Sequence, residues 1–268
     1  MCTAVVVIRG GGDIGTGVAL RLFNSGFEVV ITEIKEPLVI RREVAFAPAV
    51  YKGRTTVEGI EGVRAGTLQE AVGLLREGRI PVMVDPNCVV ARELRAGVIV
   101  DARLGKKSKG MSKDMAPLTI GLGPGFKAGR DVHIVIETNR GHNLGRVIRE
   151  GFAQPNTGVP EVVEGYGEER VLRAPCNGKV KNIKRIGDTV GVGETVCYVG
   201  EEEVRSALPG VLRGIIMDGM AVTEGLKIGD IDPRGKPEYC FSVSDKARAI
   251  GGSVLEAIVA ERQKTKTS

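Results

Sequence analysis

The sequence predicts an α/β protein: a doubly wound sheet, then a small pseudo-twofold β domain, then a C-terminal helix. Three observations carry this. An apolar run, Ala4-Val5-Val6-Val7-Ile8, empties into the glycine cluster Gly10-Gly11-Gly12-Asp13-Ile14-Gly15. Short β-branched runs then alternate with helical stripes as far as Glu137, the pattern of a largely parallel sheet with crossover helices. Beyond residue 170 the pattern changes to a repeat with a period of 32 positions and glycines at its turns.

The first strand, turn and helix carry the clearest chemistry. Gly10-x-Gly12-x-x-Gly15 matches the Rossmann-like G-x-G-x-x-G fingerprint, in which residues lacking Cβ let backbone N–H groups approach a pyrophosphate at a helix N-terminus. Val18, Leu22 and Phe23 give the following segment a helical stripe, Gly26 stops it, and Phe27 to Ile31 reads as the second strand. Glu33 stands 23 positions after Gly10, close to where such a unit places the carboxylate that binds a ribose. A glycine turn serving only close strand-to-helix packing is the alternative.

A short helix is expected near Pro37, with Arg41 and Arg42 either at the nucleotide rim or on an exposed face. Thr55 to Ile60 reads as a strand, and Thr67 caps a helix to Glu77 whose stripe is Leu68, Ala71, Val72, Leu74 and Leu75. The strand Ile80 to Val84 opens onto Asp85-Pro86-Asn87-Cys88 before a helical turn from Val89 to Arg95. That places Cys88 at the positive end of a helix, where a thiolate is favoured, against the alternative of a buried structural cysteine. After the strand Gly97 to Asp101 comes a basic loop with Arg103, Lys106, Lys107, Lys109 and Lys113, which a parallel sheet would carry to the same edge as the glycine turn. Strands follow at Leu118 to Leu122 and Val132 to Glu137. His133 reads as structural, whereas His142, in the polar turn Arg140-Gly141-His142-Asn143, is a candidate for proton transfer or binding.

Composition narrows the function. Hydrophobic residues make up 42 % and charged residues 26 %, as in a folded globular protein. A net charge of +5 with only 4 % aromatic residues and no tryptophan argues against a stacking platform for single-stranded nucleic acid and for a small anionic ligand or an acidic partner. Five scattered cysteines with no C-x-x-C pair speak against a disulfide framework or a structural zinc site, so no metal ligands are assigned. No apolar run reaches the length of a membrane span, and the expected location is cytoplasmic.

Gly151 to Gly167 is a non-periodic connector. After it, Gly178, Ile183, Gly187, Val190, Gly193 and Val196 recur as Gly210, Ile215, Gly219, Val222, Gly225 and Ile228, each 32 positions on. Two such units must pair to bury a core, and the pattern resembles the barrel-sandwich hybrid of biotinyl and lipoyl domains. Those domains attach their cofactor to a lysine in the hairpin between the halves. Between Gly193 and Gly210 this chain has none, which rules out a swinging-arm role there. Ser244-Asp245 caps a last helix to about Arg262, in which Gly251-Gly252 is explained by close packing on another backbone, and the tail from Lys264 is expected to be disordered. The domains are therefore drawn as 1–165, nucleotide-binding; 170–242, the β repeat; and 244–262, the terminal helix.

The runs Val7 to Ile14, Ile40-Arg41-Arg42, Gly123-Pro124-Gly125-Phe126, Arg140 to Arg146, Asp230-Ile231-Asp232-Pro233-Arg234 and Ser244 to Gly252 together resemble the YqeB family, associated with the selenium-dependent molybdenum hydroxylase system. The resemblance spans nearly the whole chain. It implies an accessory or maturation protein whose partner is a molybdenum hydroxylase apoenzyme similar to xanthine and purine dehydrogenases, and it supplies no active-site set.

The candidate residues are accordingly those read from the chain: Gly10, Gly11, Gly12, Asp13, Gly15, Glu33, Lys106 and Lys107 for a cofactor, and Cys88 and His142 for catalysis. A molybdopterin dinucleotide would set its pyrophosphate on the turn, further charge on the lysines, and a soft metal within reach of a Cys88 thiolate. The alternatives are an NAD(P)-dependent oxidoreductase, for which His142 is the one evident acid or base, and a noncatalytic scaffold whose β domain docks a partner enzyme. A homo-oligomer is compatible with the sequence; nucleic acid and membrane are not expected partners.

Overall fold

The computed structural model describes residues 5–105 and 110–267. Its chain forms two compact units. One is built from the chain up to Pro37, from Ala45–Asn156 and from Val243 onward; the other takes Leu38–Val44 and Thr157–Ser242.

The first unit is a nine-stranded sheet. Its strands are β1 (Val6–Arg9), β2 (Val29–Glu33), β3 (Arg54–Val57), β4 (Ile60–Ala65), β5 (Ile80–Val84), β6 (Val98–Asp101), β7 (Leu118–Leu122), β9 (Ile134–Ile136) and β10 (Val147–Ile148); a separate ribbon pairs β8 (Lys127–Ala128) with β11 (Gly151–Phe152). The order is β10-β9-β7-β6-β1-β2-β5-β4-β3, with β3 and β10 antiparallel at the two edges and every other pairing parallel. Apart from Glu33 at the end of β2, the central strands are buried, which is why they read as apolar, β-branched runs rather than alternating ones.

The helices are α1 (Asp13–Phe23), α2 (Ala49–Lys52), α3 (Leu68–Arg76), α4 (Val90–Glu93) and α5 (Asp245–Thr267). Val7, Val30, Ile99 and Val135 share one core with Ala71 of α3 and Val90 and Ala91 of α4. Alternation along each strand turns Ile8, Ile31, Val100 and Ile136 to the opposite face, where α1 crosses from β1 to β2. α5 packs along α1 through small residues. A Cβ on Gly17 would stand 2.7 Å from Ala247 Cβ, and one on Gly251 would stand 2.7 Å from Gly17 O. Close backbone approach thus explains Gly251, whereas Gly252 faces open space.

Several local expectations change. No helix starts near Pro37; that stretch holds a 3₁₀ turn, Arg42–Val44, and only later the short α2. Thr55 to Ile60 is not one strand but the β3–β4 hairpin, reversed at Glu58 and Gly59, both with positive φ. α5 begins at the Ser244 cap, whose hydroxyl accepts from Ala247 N–H at 3.2 Å, and continues to Thr267 through the tail expected to be disordered. His133 is structural: its Nδ1 accepts from Thr119 N–H at 3.1 Å, and burial lowers its pKa, with Lys113 adding to the effect.

The second unit contains β12 (Val171–Arg173), β13 (Gly178–Asn182), β14 (Thr189–Val190), β15 (Thr195–Val199), β16 (Glu202–Arg205), β17 (Gly210–Ile215), β18 (Ala221–Val222) and β19 (Lys227–Asp232). They form two antiparallel sheets, β12-β19-β17-β14 and β16-β15-β13-β18. β13 pairs with β15 of its own repeat and β18 of the other, and β17 pairs with β19 and β14 in the mirrored way. Each repeat lends a strand to the other's sheet, so neither can close its core alone. That core gathers Val180, Val190 and Val196 with Leu212, Val222 and Ile228. Ile40, from the early Leu38–Val44 segment, packs against it, and Gly214 of β17 gives the room, since a Cβ there would stand 2.8 Å from Ile40 O.

Neighbouring glycines of α5 should respond to alanine with opposite sign. Gly251→Ala forces α1 and α5 apart and should destabilise by about 1–3 kcal/mol, whereas Gly252→Ala should stabilise by about 0.5–1 kcal/mol through helix propensity alone. Urea unfolding of both variants measures the pair; equal effects would contradict the packing described.

Candidate functional site

β1 lies between β2 and β6, and the chain leaves β1 toward β2 while β6 is reached from the far side. In an open α/β sheet the carboxyl ends of two such strands flank the crevice where ligands bind. Here that crevice is bordered by the glycine turn after Arg9 and by the segment after Asp101.

The turn is shaped by its glycines in different ways. Gly10 has φ +97°, and a Cβ on it would lie 3.1 Å from Arg103 Cγ. Gly15 tolerates no side chain, because its Cβ would stand 2.0 Å from Gly10 O. Gly11 O accepts from Ala47 N–H at 2.8 Å and from the buried Thr16 hydroxyl at 3.1 Å, and that hydroxyl in turn accepts from Phe46 N–H at 2.9 Å. Gly12 differs from all three. It is the extended N-cap of α1, and among the described residues no side chain caps the helix there and nothing lies within 4 Å of a Cβ on it. The helix therefore turns its positive end toward open space at Gly12. Asp13 folds back on the first turn, its Oδ1 accepting from Ile14 N–H at 2.9 Å.

Glu33 ends β2 beside this turn. Its Oε1 accepts from Gly11 N–H at 2.9 Å and its Oε2 from Ile34 N–H at 2.8 Å. Burial raises its pKa, while these two amides and the Arg103 charge pull the other way. Each carboxylate oxygen keeps a second lone pair, so a ribose hydroxyl can still donate to it.

Across the crevice stands an ion pair that the sequence reading did not single out. Arg9 and Asp101, the last residues of β1 and β6, are partners in register and almost wholly buried, with Arg9 Nη1 3.5 Å from Asp101 Oδ2. Arg9 also donates to Gly110 O at 2.6 Å and Pro86 O at 3.0 Å. Arg103 forms a two-pronged bond to the same carboxylate, Nε to Oδ1 at 3.0 Å and Nη2 to Oδ2 at 2.5 Å, which raises its pKa further. A charged residue closing an otherwise apolar strand was the available signal. Asp101 and Glu33 both act on the Arg103 charge.

The catalytic candidates fare differently. Cys88 is not in a helical turn: its φ is +59°, and α4 begins only after the cap at Val89. It is buried in the core beneath the sheet, and burial pushes its thiol up to about 11 against the pull of Arg9. The helix-terminus argument for a thiolate therefore fails. His142 is exposed in the β9–β10 turn, three strand spacings or roughly 14 Å from β1. Lys106 and Lys107 lie outside the described residues. Arg41 and Arg42 donate to Tyr239 O, Ser242 O and Ile215 O of the second unit, so their guanidiniums are engaged there rather than at a nucleotide rim. Among the described residues no cluster of three or more His, Cys, Asp or Glu could hold a metal, and no helix is long and apolar enough to cross a membrane.

Two outcomes follow. Asp101→Asn leaves Arg9 buried without its counter-charge and should destabilise by about 3–5 kcal/mol in urea unfolding. Cys88 should resist alkylation at pH 8 in the native protein, as read by peptide mapping. Between pH 9.0 and about 11 the unfolded chain releases the Cys88 proton while the folded chain keeps it, so stability should fall as pH rises through that window.

No family model matches the chain. Among solved structures it aligns with an aspartoacylase family protein from Mesorhizobium loti at 14 % identity, covering 85 % of this chain and 84 % of that one, with a TM-score of 0.28. The ectoine utilization protein EutE (DoeB) from Ruegeria pomeroyi gives 12 % identity, 85 % of each chain and a TM-score of 0.27. Likenesses this weak assign neither fold nor activity. The sequence comparison is of another order: 53 % identity over 255 residues to "Uncharacterized protein YqeB" of Escherichia coli (strain K12), covering 95 % of this chain and 47 % of that protein. The chain thus spans about half the length of that relative, and at this identity across nearly all its residues it belongs to the YqeB family.

Proposed function

We propose that this protein is an accessory factor in the maturation of selenium-dependent molybdenum hydroxylases, and that it holds a nucleotide-bearing ligand, a molybdopterin dinucleotide, at the glycine turn. The observation that carries the reading is the open N-cap at Gly12, in a turn whose Gly10 packs on Arg103 at the switch-point crevice. In this reading the first-turn amides of α1 receive the pyrophosphate, Glu33 accepts from a ribose hydroxyl, and Arg103 offsets the ligand's charge. The donor set fits the nucleotide end only. Cys88, buried and protonated at neutral pH, does not fit a soft metal centre, and no role at the metal is assigned to it. The partner in this proposal is a molybdenum hydroxylase apoenzyme that receives the cofactor.

An NAD(P)-dependent oxidoreductase is the second reading, favoured by the same turn and Glu33. It needs an acid or base beside the nicotinamide, and neither the buried Cys88 nor the distant His142 supplies one.

Calorimetry with NAD, NADP, CTP and a molybdopterin dinucleotide tests this on the full chain. Gly12→Val should fold normally, since its side chain enters open space, yet weaken the dinucleotide by about tenfold or more by covering the amides. Tight nicotinamide binding with turnover would establish the oxidoreductase. Equally poor binding of all four ligands by wild type and variant would end the nucleotide reading and leave the scaffold role.

A further inference from the structure

A cavity lies in the first unit, beside the antiparallel edge strand β10. β9 runs parallel to β1 three strands away, so Glu137, the residue after β9, stands on the same carboxyl edge as the glycine turn. Glu137 closes the β9–β10 turn: its N–H donates to Arg146 O at 3.0 Å, and its carbonyl accepts from Gly145 N–H at 3.0 Å. The chain then runs out along β10, reverses, and returns through β11 to Gln154. This excursion borders a cavity of about 360 Å³, with Glu137, Asn143, Arg146, Arg149, Phe152 and Gln154 in its wall. That is the size of a small-molecule site.

Glu137 is 2 % exposed, and among the described residues no cation pairs with it. Its Oε1 accepts from Asn139 N–H at 2.7 Å and its Oε2 from Gln154 N–H at 2.7 Å. A buried carboxylate with no counter-charge is costly, and these amides meet only part of its need. One bond per oxygen leaves one lone pair on each, a paired acceptor that matches two parallel N–H donors on a single ligand. Arg146 reaches Asn143 Oδ1 at 3.5 Å and, among the described residues, enters no ion pair, so its fork can serve a ligand's acceptors. Arg149 is held by Glu261 of α5, and Glu150, also in the wall, is exposed. Charges of both signs thus border the cavity, which suits a neutral ligand with donors on one edge and acceptors on another. Phe152 is 57 % exposed, with Lys127 Nζ 5.6 Å from its ring centroid, and it offers a flat apolar surface to a planar ring. An aminopyrimidinone, the ring edge shared by guanine and pterins, meets each requirement: adjacent N–H and amino donors, a carbonyl and ring nitrogens as acceptors, and flat faces.

We propose that this cavity binds an aminopyrimidinone ring, of guanine or of a pterin, with Glu137 accepting from its paired N–H donors, Arg146 donating to its acceptors and Phe152 stacking on its face. The site is separate from the glycine turn and does not rest on the dinucleotide reading of that turn.

Guanosine, inosine and methylguanidinium are titrated into the full-length chain by calorimetry, and hydroxymethylpterin by its own fluorescence, on wild type, Glu137→Gln, Phe152→Leu and Gly12→Val. Guanosine and hydroxymethylpterin should bind wild type, the tighter of the two naming the source of the ring. Inosine, which lacks the amino group, should bind about tenfold or more weakly. Phe152→Leu, a change at an exposed side chain, should weaken guanosine by about fivefold or more through lost stacking. Glu137→Gln should remove the preference for guanosine over inosine, and Gly12→Val should leave binding in place. Should Glu137→Gln fail to fold, the guanosine–inosine difference on wild type and the Phe152→Leu loss still decide. Absence of binding of either ring to wild type, equal affinity for guanosine and inosine, tighter binding of methylguanidinium, which presents the same donor pair as a cation, or loss of guanosine binding in Gly12→Val with retention in Phe152→Leu would each overturn the site. Failure of the dinucleotide to bind at Gly12 leaves these outcomes unaffected.

Discussion

The buried ion pair between Arg9 and Asp101 holds the carboxyl edge of the first unit together. It joins the ends of the two central strands, and the remaining Arg9 donors reach the carbonyls of Pro86 and Gly110, so one guanidinium pins the loops that leave β1, β5 and β6. Neither charge has water to fall back on. Burying such a pair costs desolvation that only good geometry and further hydrogen bonds return. The bidentate Arg103 provides those bonds to Asp101, and the backbone carbonyls provide them to Arg9. The glycine turn and its rim are therefore held by polar bonds, at the ends of two central strands whose other residues are all apolar.

Glycine does several distinct things in this protein. At Gly15, Gly17 and Gly251 it lets backbones approach where any Cβ would collide, and at Gly62 and Gly121 it receives the faces of Phe46 and Phe126 within about 2.5 Å of a would-be Cβ. These are packing glycines, explained without invoking a ligand. Of the fingerprint glycines, Gly12 alone meets none of the described residues within 4 Å of a would-be Cβ. The distinction matters for function, because a fingerprint whose glycines were all required by packing would support no binding site.

The second unit has a different logic. Exchange of β14 and β18 between the repeats makes each sheet a joint product, so the two halves must fold together. Leu38–Val44 belongs to this unit although the chain passes through it early, and it contributes Ile40 to the core and Arg41, which donates to Tyr239 O and Ser242 O. Asp232 and Asp101 serve alike in the two units: each is a fully buried carboxylate at a strand end gripped by an arginine two residues on.

Local pattern carried the parts of the fold that depend on local physics. The Val6–Arg9 strand, the turn with its Gly10, Gly12 and Gly15 spacing, the Thr67 cap and the 32-position repeat all follow from periodicity, propensity and backbone freedom, and those properties are written residue by residue. The β3–β4 hairpin was missed because its turn, Glu58-Gly59, interrupts a run of strand-forming residues only briefly, and β10 was missed because two residues carry no period. Partnership across long separations was not legible. That Arg9 meets Asp101, that Cys88 is sealed into the core, that Gly17 faces Gly251, and that Arg213 reaches Asp232 depend on which surfaces the folded chain brings together. The sequence by itself determined where the chain can turn and which residues must be buried; only the tertiary structure decided which charges face each other, because a charge's energy is set by neighbours that arrive from elsewhere in the chain.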